Sequence, residues 1–463
     1  MKILIYILVF LVIGSLIIYF INDKETSAVL WVIVSLLSIS LFISLPAEFF
    51  LYLFIFSLFL DTFVWEFSNF RIRPSQIMGL LLFFKWLFSI KYKHIIFSNR
   101  LFLPLSLFII ISLISTIFNS TNVSRSLQTT LISVVIFCPI FAVMGLLNSR
   151  EIYERILKYY IWLGIISAIY GVIAYILFIM LNINIGGIST DLGGRIVGMQ
   201  HEAGDYFGLQ MMFFTIIILN HLYIRSTFLS VKKKYLFLLI FIVAMLLSFK
   251  RSAFLGIVIS LCFSWFILSI QNKTVVFVRR SMGLVIGGFI FVALFNALIT
   301  KDIDQYSGIK EMLTQRYSKD INFQTETMQA RMTTWDYGFR AWREHPLIGS
   351  SPSTAEGEFW VTNIFIRSLA DIGILGLISI ILLLVRIFSL GFRAIRFSGN
   401  TALSLNAHVV GMFSAFVVSI FINTVDDQFL VNMFWFHISF IMATFNLAIQ
   451  NWKITQRTNI VNL

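Results

Sequence analysis

The stretch Tyr235–Ile270, YLFLLIFIVAMLLSFKRSAFLGIVISLCFSWFILSI, is apolar over about 36 residues and is cut only by Lys250 and Arg251. A single helical span needs about 20 residues to cross roughly 30 Å of hydrocarbon, so this stretch is too long to be one. It must fold back as a tight hairpin, with the basic pair at the turn. Each arm then spans as a helix, because a chain in lipid must satisfy its backbone hydrogen bonds internally.

The rest of the chain repeats the pattern. Of 463 residues 59% are hydrophobic and the mean hydropathy is +0.90, well above the roughly 45–50% apolar content of a soluble domain. A soluble fold is excluded. Hydropathy and breaker residues predict spans near 3–21, 28–45, 47–65, 76–90, 101–118, 127–147, 159–182, 206–223, 235–249, 252–270, 283–299, 364–388, 403–424 and 429–449. The first is a span and not a signal peptide, since many others follow it and no A-x-A-like site closes it. The expected fold is therefore all-α: a polytopic membrane bundle of about 14 transmembrane helices, one domain over 1–463, with a large outer loop at 300–363.

Basic clusters orient the bundle. They are Lys85, Lys91, Lys93 and Arg100; Arg150, Arg155 and Lys158; Lys232, Lys233 and Lys234; Lys273, Arg279 and Arg280; and Arg386, Arg393 and Arg396, each at an alternate connection. By the positive-inside rule those connections and both termini are cytoplasmic. The net charge of +13 then divides into roughly +17 inside and −4 outside, so the basic balance reflects topology and no nucleic-acid partner is needed. Lys250 and Arg251 fall on the outer face, where basic residues are under-represented.

Within the large loop Met328, Met332, Trp335, Phe339 and Trp342 recur at steps of four and three, which predicts an amphipathic helix ended by Pro346 and Gly349. Arg331, Arg340 and Arg343 lie off that stripe. A helix of this composition suits the membrane interface, either capping the bundle or closing over a substrate. Charges within the spans are too scarce for a proton relay, which weighs against an ion-driven pump. Instead Arg71, Arg73, Arg195, Lys250, Arg251, Arg331 and Arg340 gather at the outer face. Arginine binds phosphate oxygens in a bidentate fashion, and the phosphate of a membrane surface is a lipid-linked one. The bland alternative for each is a snorkelling anchor or a partner for a loop carboxylate. Asp23 and Glu25 form a D-x-E that reads as solvated loop charge, since a hard cation needs several convergent oxygens. His94, His221, His408 and His437 have a packed or interfacial default and His345 a structural one. His201 shares a loop with Glu202 and Asp205 and is a minor acid/base candidate. Cys138 and Cys262 lie in apolar runs without metal or disulfide spacing.

Three segments carry a resemblance. They are Gly194-Arg195-Ile196-Val197-Gly198; Ser248-Phe249-Lys250-Arg251-Ser252-Ala253-Phe254-Leu255-Gly256; and the loop from Arg331-Met332-Thr333-Thr334-Trp335 through His345-Pro346-Leu347-Ile348-Gly349 to Leu369-Ala370-Asp371-Ile372-Gly373-Ile374-Leu375-Gly376. In their order and in the span count the chain resembles the O-antigen ligase and O-antigen polymerase superfamily. The resemblance implies that Arg251 and Arg331, with Arg195 as a third, hold the undecaprenyl diphosphate of a lipid-linked glycan donor. The ligases of that superfamily have a histidine immediately before the asparagine that opens the span after the loop. Here Thr362 precedes Asn363, which favours a polymerase. Asp426 or Asp427 fills the acidic position between the last two spans, and Lys250 and Arg340 are further substrate-binding candidates.

The function expected is polymerisation of undecaprenyl-diphosphate-linked repeat units of O-antigen, capsule or exopolysaccharide, at the outer face of a bacterial cytoplasmic membrane. It implies a metal-independent glycosyltransferase without cofactor, partnered by lipid-linked glycans, the bilayer, a flippase and a chain-length regulator. Arg251 and Arg331 would stabilise the departing diphosphate, while the general base stays open among Glu202, Asp205, Glu358, Asp426 and Asp427. A ligase of the same superfamily, a flippase or other transporter, and a metal-dependent glycosyltransferase using Asp23 and Glu25 are the alternatives.

Overall fold

The computed structural model describes residues 42–60, 65–67, 70–89, 101–181, 204–248, 250–271, 326–352, 363–399, 403–424 and 431–461, with isolated positions between 183 and 199 and at 361. The expected spans at 3–21 and 283–299, nearly all of that at 28–45, and the large loop before 326 lie outside the described residues, as do Asp23, Glu25, His94 and His201.

Every expected span that falls on described residues is a helix. In chain order these are α1 (Ala47–Phe59), α2 (Pro74–Phe88), α3 (Phe102–Asn119), α4 (Val123–Leu146), α5 (Arg150–Leu181), α6 (Gly204–Tyr223), α7 (Val231–Leu247), α8 (Arg251–Ile270), α9 (Glu326–Glu344), α10 (Ile364–Ser398), α11 (Leu403–Asn423) and α12 (Asn432–Val461). All but α9 correspond to expected spans. Eight among the described residues (α3, α4, α5, α6, α8, α10, α11 and α12) are long and apolar enough to cross a bilayer, so the chain is a multi-pass membrane protein. α1 and α2 are shorter, and α7 opens on Lys232, Lys233 and Lys234. Two small antiparallel ladders sit in connections: β1 (Trp65–Phe67) with β2 (Phe70–Ile72), and β3 (Ile188–Ser189) with β4 (Arg195–Ile196). α1 thus ends at Phe59, short of the expected 65. In the other direction α5 begins at Arg150 and α10 runs to Ser398, since charged helix ends extend past the hydrocarbon at no cost to backbone hydrogen bonding.

α6 and α12 are the hub, each with 89% of its most apolar window buried, against 33% for α3 and α8. α6 packs on α7, α8 and α11, while α12 packs on α4, α10 and α11. At the hub Tyr160 of α5 meets Phe214 with ring centroids 4.7 Å apart and Phe436 at 5.0 Å. Ile110, Ile114 and Ile117 of α3 and Leu255, Val258 and Phe266 of α8 are exposed, as lipid-facing surface is.

The antiparallel order sorts helix termini into two ends. The basic clusters at Lys85, at Arg150 to Lys158, at Lys232 to Lys234 and at Arg393 and Arg396 share one end. There Lys85 Nζ donates to Phe42 O at 2.7 Å, Arg150 joins Glu154 and Ser404, and Gln271 bridges Ile395 O and Asn406. The other end holds the starts of α2, α4, α6, α8, α10 and α12 and is tied together by Asn363 to Thr424 O at 2.8 Å, by Asn432 to Ser75, and by Asn119 to Gly349 O at 2.7 Å. We call it the loop end.

At the loop end α10 is broken at Gly373 (φ 66°, ψ −164°), a conformation open essentially to glycine alone. The break releases backbone groups from the helical ladder, and the α9–α10 connection takes up four of them. Ser350 N donates to Ala370 O (2.8 Å) and Ser351 N to Asp371 O (2.9 Å), while Ile374 N donates to Pro346 O (3.0 Å) and Leu375 N to Leu347 O (3.3 Å). A Cβ at Gly373 would lie 2.4 Å from Leu347 C and O. Gly373→Ala is therefore expected to destabilise the fold by at least about 1–3 kcal/mol and to lower the thermal midpoint of the purified protein clearly. Gly399→Ala, where the nearest atoms stand 3.7 Å or more away, should leave it unchanged.

Candidate functional site

The hairpin read from Tyr235–Ile270 turns at Ser248, whose Oγ donates to Met245 O at 2.7 Å, and re-enters as α8 with Lys250 as its N-cap residue and Arg251 as its first helical one. Lys250 is buried, and α6 approaches it closely: a Cβ at Gly208 would stand 2.6 Å from Ser248 Oγ and 2.7 Å from Lys250 Cβ. The first turn of α6, which carries Asp205, and the α7–α8 turn are thus brought together at the loop end. The N-terminus of α8 adds the partial positive charge of unsatisfied N–H groups to two basic residues, an electrostatic setting for an anion.

α9 lies across the start of α10. Gly338 makes the closest approach, with Ile366 Cγ2 2.8 Å from where a Cβ would be, and Trp335, Tyr337 and Ala341 pack on Val361, Ile366 and Ala370. The expected helix is present, and its apolar stripe is divided between the bundle and the outside. Trp335 and Trp342 are half-buried, whereas Met332 and Phe339 are exposed and the packed face runs through Gly338 instead. The smallest residue faces the bundle because it permits close helix contact, which a pattern of large apolar residues cannot reveal. Arg331 is half-buried on α9, and Arg340 is exposed and paired with Asp336 at 2.8 Å.

The side chains of Arg71, Arg195, Asp205 and Arg251 lie outside the described residues, although their backbones are placed; Glu202, Glu358, Asp426 and Asp427 lie outside altogether. Of the expected candidates, the structure therefore sets Lys250, Arg331 and Arg340, with the backbones of Arg195, Asp205 and Arg251, at the loop end. His221 and His408 belong to the opposite end, where His221 Nε2 meets His408 Nδ1 at 3.0 Å and His221 Nδ1 meets Ser226 Oγ at 2.5 Å. His437 is buried against Tyr160 Oη at 2.7 Å and stacked on Phe213.

Two features escaped the sequence reading. Arg367 and Asp371 form an ion pair at 3.3 Å inside the bundle, with side chains only 9% and 10% exposed; their signal was an i, i+4 pair of opposite charges in an apolar run. They line a small cavity of about 30 Å³ between α3, α4 and α10, together with Phe108, Ser112, Thr129, Ser133 and Ile372. A second small cavity, of about 20 Å³, lies among α6, α11 and α12, between apolar residues such as Leu209, Phe213 and Phe434 and the polar Gln210, Ser419 and His437.

Asn363 has a structural role in this arrangement. Its Oδ1 caps α10 by accepting from Phe365 N (2.9 Å) and Ile366 N (3.1 Å), and its Nδ2 donates to Thr424 O at the end of α11.

Comparison with known proteins adds one match. Residues 236–381 match the family model described as O-Antigen ligase, and no curated protein matches the chain. The matched segment includes the α7–α8 turn and the α9–α10 region but not Gly194–Gly198. The match covers about a third of the chain and agrees with the resemblance to the O-antigen polymerase and ligase superfamily read from the sequence.

Asn363→Ala is expected to lower stability by about 1 kcal/mol or more through loss of the cap. Asn363→Asp, which keeps the cap and loses only the donor to Thr424 O, should cost less; thermal unfolding of the two variants separates the contributions. Arg340→Ala should leave the midpoint nearly unchanged, because an exposed i, i+4 pair contributes at most about 0.5 kcal/mol.

Proposed function

We propose, from the match of residues 236–381 to the O-antigen ligase family model and the resemblance of the sequence to that superfamily, that this chain polymerises undecaprenyl-diphosphate-linked repeat units at the outer face of a bacterial cytoplasmic membrane. The observation that carries the reading is the close approach of the start of α6, which carries Asp205, to the Lys250–Arg251 turn at a helix N-terminus; α9 with Arg331 packs on α10 at the same end of the bundle. The segregation of basic clusters to the opposite end supports a cytoplasmic basic end and a loop end facing outward.

In the proposed reaction an acceptor sugar hydroxyl attacks the anomeric carbon of the donor. The bond from that carbon to the diphosphate oxygen breaks, and the lipid diphosphate leaves. Arg251 and Arg331, aided by Lys250 and the α8 N-terminus, stabilise the charge that builds on the leaving oxygen. Arg195 holds the diphosphate with them, and Arg340 with Asp426 or Asp427 positions the glycans. Glu202 and Asp205 are the favoured bases for the hydroxyl proton. The partners in this reading are the lipid-linked glycans, a flippase that delivers them and a chain-length regulator. Thr362 in place of a histidine before Asn363 favours polymerase over ligase.

The test is a gel of surface polysaccharide and lipid-linked precursors from a deletion strain complemented with wild type, Arg251→Ala or Arg331→Ala. A polymerase leaves single repeat units in the deletion, and each arginine variant, expressed at wild-type level, is expected to lose at least about 100-fold in polymer formed. Full-length polymer retained on the carrier lipid would make the protein a ligase. Repeat units confined to the cytoplasmic leaflet would make it a flippase and overturn the assignment.

A further inference from the structure

The cations of the basic end are not all used in the same way. Lys85, Arg150, Arg155 and Lys234 are each taken up by another group of the protein: Lys85 Nζ donates to Phe42 O at 2.7 Å, Arg150 pairs with Glu154 at 2.8 Å, Arg155 pairs with Glu151 at 2.9 Å, and Lys234 Nζ donates to His221 O at 3.2 Å and to Ser226 O. Lys158, Lys232 and Lys233 are exposed, and no carboxylate among the described residues pairs with them. Lys234 sets the direction of its two neighbours. Successive helical residues are turned by about 100°, so with Lys234 fixed inward on the α6–α7 connection, Lys232 and Lys233 point away from the core.

Packing brings Lys158 to the same place. α5 and α7 both rise from the basic end and run parallel, and they meet where Trp162 crosses Phe237 edge-to-face with ring centroids 5.1 Å apart. Lys158 and Lys233 each stand four residues earlier on the same helix face, one turn closer to the basic end. Lys158 Nζ is held 5.3 Å from the centre of the Phe228 ring, in the connection that leads into α7. On the other side of this level, toward the bilayer centre, Trp162 and Ile166 of α5 and Leu236 and Leu239 of α7 are about half exposed and form an apolar strip.

Charge and level together select what lies on this surface. The 20 residues from Tyr159 to Phe178 carry no Asp, Glu, Lys or Arg and match one hydrocarbon thickness, which sets Lys158 at the boundary where lipid phosphates lie. A soluble anion would leave the apolar strip uncovered. A zwitterionic lipid would bring its own cation against the lysines, whereas an anionic lipid answers both the charge and the strip.

We propose that the groove between α5 and α7 at the basic end is a site for one anionic phospholipid, its headgroup phosphate held by Lys158, Lys232 and Lys233 and its acyl chains laid along Trp162, Ile166, Leu236 and Leu239. The site does not depend on the transfer reaction; only its assignment to the cytoplasmic leaflet rests on the orientation proposed above.

The experiment is native mass spectrometry of the full chain in a neutral detergent, titrated with phosphatidylglycerol or with phosphatidylcholine of the same acyl chains. The first phosphatidylglycerol is expected to bind at least about 25-fold more tightly than phosphatidylcholine, and Lys158→Gln and Lys233→Gln should each weaken it about fivefold, the effect of one basic residue at a lipid surface. Arg393→Gln/Arg396→Gln serves as the control, because it removes two exposed charges from the same end but on α10, outside the groove. That variant should bind phosphatidylglycerol as the wild type does. Equal affinity for the two lipids overturns the site. So does an equal loss in Lys158→Gln/Lys233→Gln and in the α10 control, which would show a general response to net charge. Displacement of the bound lipid by millimolar glycerol phosphate would make the groove a site for a free anion and overturn the lipid assignment as well.

Discussion

The break in α10 at Gly373 is the interaction on which the loop end depends. A helix in a bilayer cannot leave its N–H and C=O groups unpaired, since no water is at hand to take them. Here the groups released at Ala370, Asp371, Ile374 and Leu375 are paired with Pro346, Leu347, Ser350 and Ser351, so that an extramembrane connection is joined to a span by main-chain hydrogen bonds. Ser115 adds its hydroxyl to Gly349 O and Asp371 O, and Ser126 reaches Ser351 Oγ at 2.9 Å, which brings α3 and α4 into the same junction. α9 is held against α10 by this clasp and by the close approach at Gly338, and the position of Arg331 follows from both.

The two ends of the bundle use polar groups differently. At the basic end they are arranged as short ties between helices: His408 sits between His221 and Glu154, Lys234 reaches His221 O, and Asn406 meets Gln271 and Ser398. These contacts tie α5, α6, α7, α8, α10 and α11 to one another where they converge. At the loop end the polar groups border cavities and helix N-termini instead. The asymmetry accords with chemistry confined to one face of the membrane, with the other end serving to hold the helices in register.

Much of the architecture was legible in the residues. Lys250 and Arg251 interrupt an apolar run too long for one span, and the hairpin they imply is the α7–α8 turn. The helix in the large loop was visible from its aromatic spacing, but its orientation was not, because Gly338 decides the packed face by its lack of a side chain. Asp371 stood in the Leu369–Gly376 segment that carries the resemblance, but its buried pairing with Arg367 was not read from the span. Hydropathy averages over a window, and two charges among strongly apolar neighbours vanish in the mean. The same averaging hid the role of Asn363 as cap and tie, which needs Thr424 O beside it.

The helical, multi-pass character of the chain, the order of its spans and the alternation of its basic ends were legible from the residues alone. All of these follow from local apolar length and local charge, properties of about 20 neighbouring residues at a time. The meeting of distant segments came from the packing. Ser115 touches Gly349 across 234 positions and Ser126 touches Ser351 across 225, and no local period encodes such contacts. The kink that reroutes the backbone of α10, the face that α9 turns inward and the cavity beside Arg367 exist only where several helices come together, because each depends on volume and hydrogen-bonding groups contributed by another part of the chain.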